Sequence, residues 1–182
     1  MAQTRDGWLW LGSSTGLFRF DGVRFERYAP PGQALPSVGI GILNAFDDGT
    51  LWRGYRYGGA SVLAHGRLRH YTDRDGLPAG ATVWGLERDG GGRMWAATKQ
   101  GMFYLDGQRW VAAGAAFGLP EGAYKTLMRD RAGALWAQGA AGVYRLPAGA
   151  QRFIKATPDS GTGVLFQVPD GSVWSWNAVA SR

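Results

Sequence analysis

A tryptophan preceded by a turn glycine returns at near-constant spacing along this chain, and no other feature limits its folding as strongly. The stretch "DGWLWLGSSTGLFRFDG" runs from Asp6 to Gly22, and its core recurs as "DGTLWRG" from Asp48, "GGRMWAA" from Gly91, "AGALWAQ" from Ala132 and "DGSVWSW" from Asp170. The anchoring residues are Trp10, Trp52, Trp95, Trp136 and Trp174, spaced 42, 43, 41 and 38 residues apart. A period of this length belongs to repeat architectures, in which one supersecondary unit cannot bury its apolar face alone and does so by stacking on the next.

One period reads as four short strands. In the second repeat the apolar run Val38 to Phe46 is a first strand, and Asp47-Asp48-Gly49 turns the chain. Thr50 to Tyr55 has the β-branched and aromatic content of a second strand. Ala60 to Ala64 is a third, His65-Gly66 fills a tight hairpin turn, and Arg67 to Tyr71 is a fourth. The same order is visible in "GLFRF-DG-VRFERY" from Gly16 and "GMFYL-DG-QRWVAA" from Gly101, and in part from Gly142. Longer loops also repeat, as "ALPS" from Ala34, "GLPA" from Gly76 and "GLPE" from Gly118.

These features predict an all-β fold, a β-propeller of four-stranded antiparallel blades with about four to five units. The chain reads as a single partial propeller over residues 1–182, with units near 1–33, 34–77, 78–119, 120–160 and an incomplete 161–182. Trp10, Trp52, Trp95 and Trp136 are expected at equivalent buried positions between sheets, because a ring of this size removes on the order of 150–250 Å² from water. An incomplete ring leaves strand edges unpaired, so an open arc, or closure through another copy of the chain, is expected.

Composition narrows the function classes. The 182 residues are 45% hydrophobic and 19% charged, a globular balance. With no cysteine there is no disulfide framework, thiolate nucleophile or Cys-based metal site. The net charge of +6 comes from arginines scattered along the repeats, which argues against a nucleic-acid partner. No segment approaches a membrane span, and the start "MAQTRDG" lacks the apolar core of an export signal. If the natural protein is exported or membrane-anchored, the responsible segments lie outside this chain.

In these residues the chain resembles the two-component regulator propeller repeats, whose pattern runs Leu-Pro-Ser, then Asp-x-x-Gly-x-Leu-Trp-x-Gly, then Gly-Leu-x-Arg-Tyr-Asp-Gly. Leu35-Pro36-Ser37, Asp48-Gly49, Leu51-Trp52 and Gly54 fit one stretch of it. Asp6-Gly7, Leu9-Trp10, Gly12, Gly16-Leu17, Arg19, Asp21-Gly22, Phe25 and Tyr28 fit another. The resemblance implies a periplasmic sensor domain of a bacterial hybrid two-component or related receptor, without catalysis or cofactor, reading a small molecule or a glycan fragment. Sensors of that family carry more repeats, so the chain resembles a fragment of one.

The enzyme alternative is a propeller lyase of the streptogramin-lyase type, which is built from similar Gly- and Trp-rich repeats. His65 and His70 are the only histidines. His65 stands in a hairpin turn and His70 in a strand, and neither sits in a recognisable catalytic motif. Asp73 and Asp75 read as turn residues, and "DGGGR" from Asp89 has no following helix to make it a phosphate loop.

Departures from the repeat point to a ligand site. "RGYRYGG" (Arg53 to Gly59) replaces the small "LGSSTG" and "AATKQG" of sister units and brings in Arg53, Tyr55, Arg56 and Tyr57. Arginine and aromatic side chains together suit acidic ligands and sugars. Arg53 takes the place of Leu11, Ala96 and Ala137; the plainer expectation is that it snorkels to water or pairs with Asp47 or Asp48. Lys99, Gln100 and Gln138 lie on equivalent loops, and Trp84 and Tyr124 begin inner strands expected to border a central channel.

Overall fold

A computed structural model describes residues 1–30, 39–157 and 163–177. The "ALPS" loop from Ala34, Val38 of the second unit's first strand, and the expected unit boundaries near 33 and 160 lie outside the described residues. The described chain is built of short antiparallel meanders joined by turns, in two compact units, Met1–Leu86 and Glu87–Arg182.

The first unit holds two four-stranded sheets. One is β1 (Ala2–Gln3), β2 (Leu9–Ser13), β3 (Gly16–Phe20) and β4 (Phe25–Tyr28), in that spatial order. The other is β5 (Ile40–Ala45), β6 (Leu51–Tyr55), β7 (Ala60–Ala64) and β8 (Arg67–Tyr71). Strand β9 (Val83–Arg88), on which the division between units falls, edges a third sheet with β10 (Met94–Thr98), β11 (Gly101–Asp106) and β12 (Arg109–Ala112). The second unit adds β13 (Tyr124–Arg129), β14 (Leu135–Gly139), β15 (Gly142–Leu146) and β16 (Ile154–Thr157), then the pair β17 (Gly163–Gln167) and β18 (Val173–Asn177). These are the expected propeller blades, four complete and one two-stranded among the described residues. Short 3₁₀ turns, Asp73–Asp75 and Gly114–Phe117, open two of the recurring loops, and Leu77 and Leu119 behind them are buried.

The repeat has a backbone cause. Three residues before each tryptophan stands Gly7, Gly49, Gly92, Gly133 or Gly171, with φ of 89°, 80°, 84°, 82° and 95°. All five occupy the left-handed region that side chains with a Cβ avoid, so the turn into the second strand demands glycine. The turn is held in two ways. Asp48 and Asp170, four residues before their tryptophans, accept the backbone N–H groups of Thr50 and Ser172. Asp89 and Asp130, six residues before theirs, accept backbone N–H groups with one oxygen and the indole N–H of Trp95 or Trp136 with the other, at 2.9 and 2.8 Å. His65, with φ 49°, is the one non-glycine residue with positive φ among those described, which confirms the tight His65-Gly66 hairpin.

Within each unit one tryptophan-bearing face packs on the opposite face of the sheet that follows it. In the first unit Trp10 and Leu17 meet Leu43, Leu51, Tyr55 and Leu63. The approach is close enough that a Cβ on Gly12 would stand 2.5 Å from Ile40 Cγ2. In the second unit Trp95 packs against Leu135, Ala137, Leu146 and Phe153, edge-on to the Phe153 ring at 5.3 Å. Trp10, Trp52 and Trp95 are buried as expected. Trp136 departs from that expectation: it is half-buried, with the Arg145 guanidinium over its ring. The reason is its cover, since the sheet it faces has only two strands among the described residues.

Candidate functional site

The departure from the repeat at Arg53 to Gly59 folds into two chemically different parts. In the first and third sheets the second and third strands are joined by a tight turn pinned by a hydroxyl: Ser13 Oγ accepts from the Thr15 N–H, and Thr98 Oγ1 accepts from the Gln100 N–H and donates to the Gly101 carbonyl. Tyr55 holds that position in the second sheet and leaves the turn unpinned. Backbone takes over: the Tyr55 N–H donates to Gly59 O, Arg56 N–H to Gly39 O and Gly59 N–H to Ala81 O. Gly59, with φ 89°, passes so near β8 that a Cβ would lie 2.2 Å from the Tyr71 carbonyl oxygen. Arg56 and Tyr57 are left on the outside, Tyr57 being 74% exposed.

Arg53 and Tyr55 point the other way. They alternate with Trp52 and Gly54, so they share the face of Leu51 that packs on the first sheet. Both are 0% exposed. Arg53 lies opposite Ser61, which lies opposite His70, forming a polar row across β6, β7 and β8. The Tyr55 hydroxyl and Ser61 Oγ are 2.9 Å apart, and Ser61 Oγ is 3.0 Å from His70 Nδ1. His70 Nδ1 also contacts the Ala60 carbonyl at 2.9 Å, and because a carbonyl only accepts, the proton sits on Nδ1.

Arg53 has no part in these bonds. Its Nε, Nη1 and Nη2 atoms are all buried without a hydrogen-bond partner among the described residues. The expectation that it snorkels or pairs with a nearby acid is therefore corrected. Asp47 pairs with Arg5 at 3.3 Å, and Asp48 turns its carboxylate onto Thr50. Burial lowers the Arg53 pKa from its ordinary value, opposed by the phenols of Tyr55 and Tyr28. Burial likewise raises the Tyr55 phenol. Burial also lowers His70, with Asp75 and the Ala60 carbonyl pulling upward and Arg53 downward. Tyr55 thus has a packing reason as well as its place in a loop that departs from the repeat.

The remaining candidates are distributed over both units. Trp84, in the first unit, is half-buried. In the second unit Lys99 and Gln100 are exposed on the β10–β11 turn. Tyr124 opens the first strand of the fourth sheet. It is buried edge-on to Tyr144 and donates its hydroxyl to Pro120 O at 3.0 Å, with burial pushing its phenol up. Gln138 is buried, with Oε1 lacking a partner among the described residues.

Sequence reasoning passed over the Ser61–His70 row and a cleft of about 270 Å³ at the turn ends of the first two sheets, lined among others by Asp6, Trp8, Arg19, Tyr28 and His65. There the Arg19 guanidinium lies 4.2 Å over the Trp8 ring and pairs with Glu26. The signal was available, because Trp8 stands where Thr50, Arg93, Ala134 and Ser172 stand in sister repeats. Among the described residues no three metal-ligating side chains converge, and no helix is long and apolar enough to cross a membrane.

No family model matches the chain, and no curated protein matches it. Solved structures do. The chain is similar to the extracellular domain of the hybrid two-component system BT3049 from B. thetaiotaomicron, with TM-score 0.77 and 19% identity, over 95% of this chain and 25% of that one. It is similar also to the extracellular domain of the one-component system BT4673 from B. thetaiotaomicron, with TM-score 0.75 and 19% identity over 97% of this chain and 25% of that one. Virginiamycin B lyase from Staphylococcus aureus matches at TM-score 0.70 and 13% identity, over 95% of this chain and 60% of the lyase. The chain spans a quarter of the length of the two receptor domains. At these identities the likeness establishes the fold alone, a β-propeller.

Proposed function

We propose that the chain is a non-catalytic, ligand-sensing part of a bacterial receptor propeller, held outside the cytoplasm, and that its ligand is a small acidic molecule of the uronic-acid or sulfated-sugar class. One observation carries the reading: a fully buried guanidinium with no partner among the described residues, at a position where sister sheets place Leu11, Ala96 and Ala137. An unpaired buried cation costs several kcal/mol. A carboxylate or sulfate satisfies it through two parallel N–H···O bonds, the geometry a guanidinium fork fits best. Because Arg53 lies between the first two sheets, engaging it has to shift their packing, which gives binding a mechanical output. Support for a sensor comes from the extracellular domains of signalling systems that share the fold.

The lyase reading rests on fold likeness alone. His65 is committed to a left-handed turn position and His70 Nδ1 to the Ala60 carbonyl, so no geometric observation favours it.

The test is a thermal-shift and calorimetric panel of uronic-acid and sulfated oligosaccharides, each beside its neutral counterpart. Acidic members should bind the native chain, neutral ones at least tenfold more weakly, and Arg53→Leu should abolish the preference. Equal binding of acidic and neutral forms, or an undiminished preference in folded Arg53→Leu, overturns the assignment.

A further inference from the structure

The polar row of the second sheet runs from its interior to one of its edges. Arg53 lies on β6, Ser61 beside it on β7 and His70 on the edge strand β8. Exposure rises along the row: Arg53 and Ser61 are fully buried, and His70 is half-buried. The first sheet is polar where its own edge strand joins this junction, because β4 places Tyr28 opposite Leu17 and Glu26 opposite Arg19 on the face of Trp10. The other end of the junction, at β5, is shut by backbone. There a Cβ on Gly12 would stand 2.5 Å from Ile40 Cγ2, so nothing enters from that side.

At the β4 end a cleft of about 430 Å³ opens, lined by Arg19, Glu26, Arg27, Tyr28, Ala29 and Gly66. It shares Arg19, Tyr28 and Gly66 with the cleft of about 270 Å³ at the turn ends. Its volume falls in the ~300–1,000 Å³ range of small-molecule sites. Tyr28 belongs both to the cleft wall and to the packing around Arg53. It packs on the cluster that holds Leu43, the cross-strand partner of Arg53, with Leu51 and Tyr55. Its ring is edge-on to Trp10 at 4.9 Å, with the Arg19 guanidinium at 5.1 Å over it. The Tyr28 phenol is near enough to Arg53 to oppose the lowering of its pKa by burial.

We infer that an acidic group reaches Arg53 from this cleft, entering between β4 and β8 as the Tyr28 ring swings aside. The inference rests on the acidic-ligand reading of Arg53 and adds the way in. A carboxylate or sulfate moving inward passes His70 and Ser61 before it meets the guanidinium, so it keeps polar neighbours as it leaves water. The body of the ligand stays in the cleft, and the ring it displaces belongs to the first sheet, which ties occupancy of Arg53 to the packing of both sheets.

The chain has no cysteine, so a single introduced thiol can report the path. Ser61→Cys puts that thiol in the polar row, and mass spectrometry follows its modification by an anionic sulfonatoethyl methanethiosulfonate and by the cationic trimethylammonium reagent. Tyr28→Ala should raise the anionic rate about tenfold or more, the factor by which a door open a tenth of the time or less slows entry. Tyr28→Leu, a milder truncation, should act in the same direction. Ile40→Ala loosens the same core at its shut end and should leave the rate unchanged. Thr98→Cys, at a buried position in the second unit, should not respond to Tyr28→Ala. No acceleration by either Tyr28 variant, equal acceleration by Ile40→Ala, or acceleration at both thiols overturns the route. The reading beneath it has its own readout: inorganic sulfate should protect the Ser61→Cys thiol, the anionic reagent should outpace the cationic one, and both effects should vanish with Arg53→Leu. If they are absent while Tyr28→Ala still accelerates, the acidic-ligand reading falls and the route stands; if they are present without that acceleration, the reading stands and the route falls.

Discussion

Replacing Arg53 with leucine should stabilise the unliganded protein. Most substitutions of a fully buried residue destabilise, so the sign is diagnostic. The native side chain contributes the packing of its methylenes but holds three buried nitrogens without a single acceptor. Buried charge replaced by an apolar group of similar volume is neutral to about 1–4 kcal/mol stabilising, even when the charge was paired. Leucine is the residue sister sheet one uses at Leu11, and in the second sheet it meets Leu43 across the β5–β6 ladder and lies on the Leu51 face. An increment of about 1–3 kcal/mol follows, or about 2–12 °C in melting temperature for a chain of this length. The measurement is differential scanning calorimetry in a buffer free of sulfate, phosphate and citrate, because any of these can occupy the guanidinium. Arg53→Gln is the companion variant: it keeps a buried polar group without partners and should gain less than leucine. A loss of more than about 1 kcal/mol in Arg53→Leu would refute the reasoning, because it would mean that the guanidinium is stabilised where it lies, and the argument for an acidic ligand would lose its foundation.

Other outcomes follow from the same geometry. Trp95→Ala should cost about 3–5 kcal/mol by chemical denaturation, while Trp136→Ala, half-buried, should cost clearly less. Asp89→Ala removes the acceptor of the Trp95 indole and of the Gly91 and Arg93 amides, and should lose about 2 kcal/mol, with the Trp95 fluorescence shifting as its hydrogen bond is lost. Gly133→Ala, at φ 82°, should cost about 1–2 kcal/mol in the same assay, although the position has room for a methyl group. His70 titrates below its ordinary 6.5 because burial disfavours the imidazolium. Above pH 6.5 both states are neutral and nothing changes; below it the unfolded chain takes up the proton first, so stability should fall as pH drops from about 6.5, and His70→Asn should flatten that part of the profile.

The fold was legible because its signal is backbone chemistry repeated in phase. A glycine at φ near 85° three residues before each tryptophan has no substitute, so the turn, the strand after it and the hairpin beyond could be placed from residue types alone. The third and fourth strands of the second sheet fall at Ala60–Ala64 and Arg67–Tyr71 as read, and the first two are only trimmed, to Ile40–Ala45 and Leu51–Tyr55. Burial was less legible, because a residue's own sheet fixes only the direction its side chain takes. Whether that direction is covered depends on another sheet. Trp10, Trp136 and Trp174 hold one repeat position, yet they are buried, half-buried and 59% exposed in step with what stands opposite them. The candidate site shows the same limit. That Arg53 breaks an apolar column with Leu11, Ala96 and Ala137 could be read from the alignment of repeats, and strand alternation already placed Tyr55 on its side of the sheet. That no acid approaches it, while Ser61 and His70 satisfy Tyr55 and each other, could not be read, because it depends on where Asp47 and Asp48 turn at the far end of the strand. The departure from the repeat was visible in sequence; that it buries a charge with nothing beside it is a property of the packing, and that property is what makes the second sheet the place to look for a ligand.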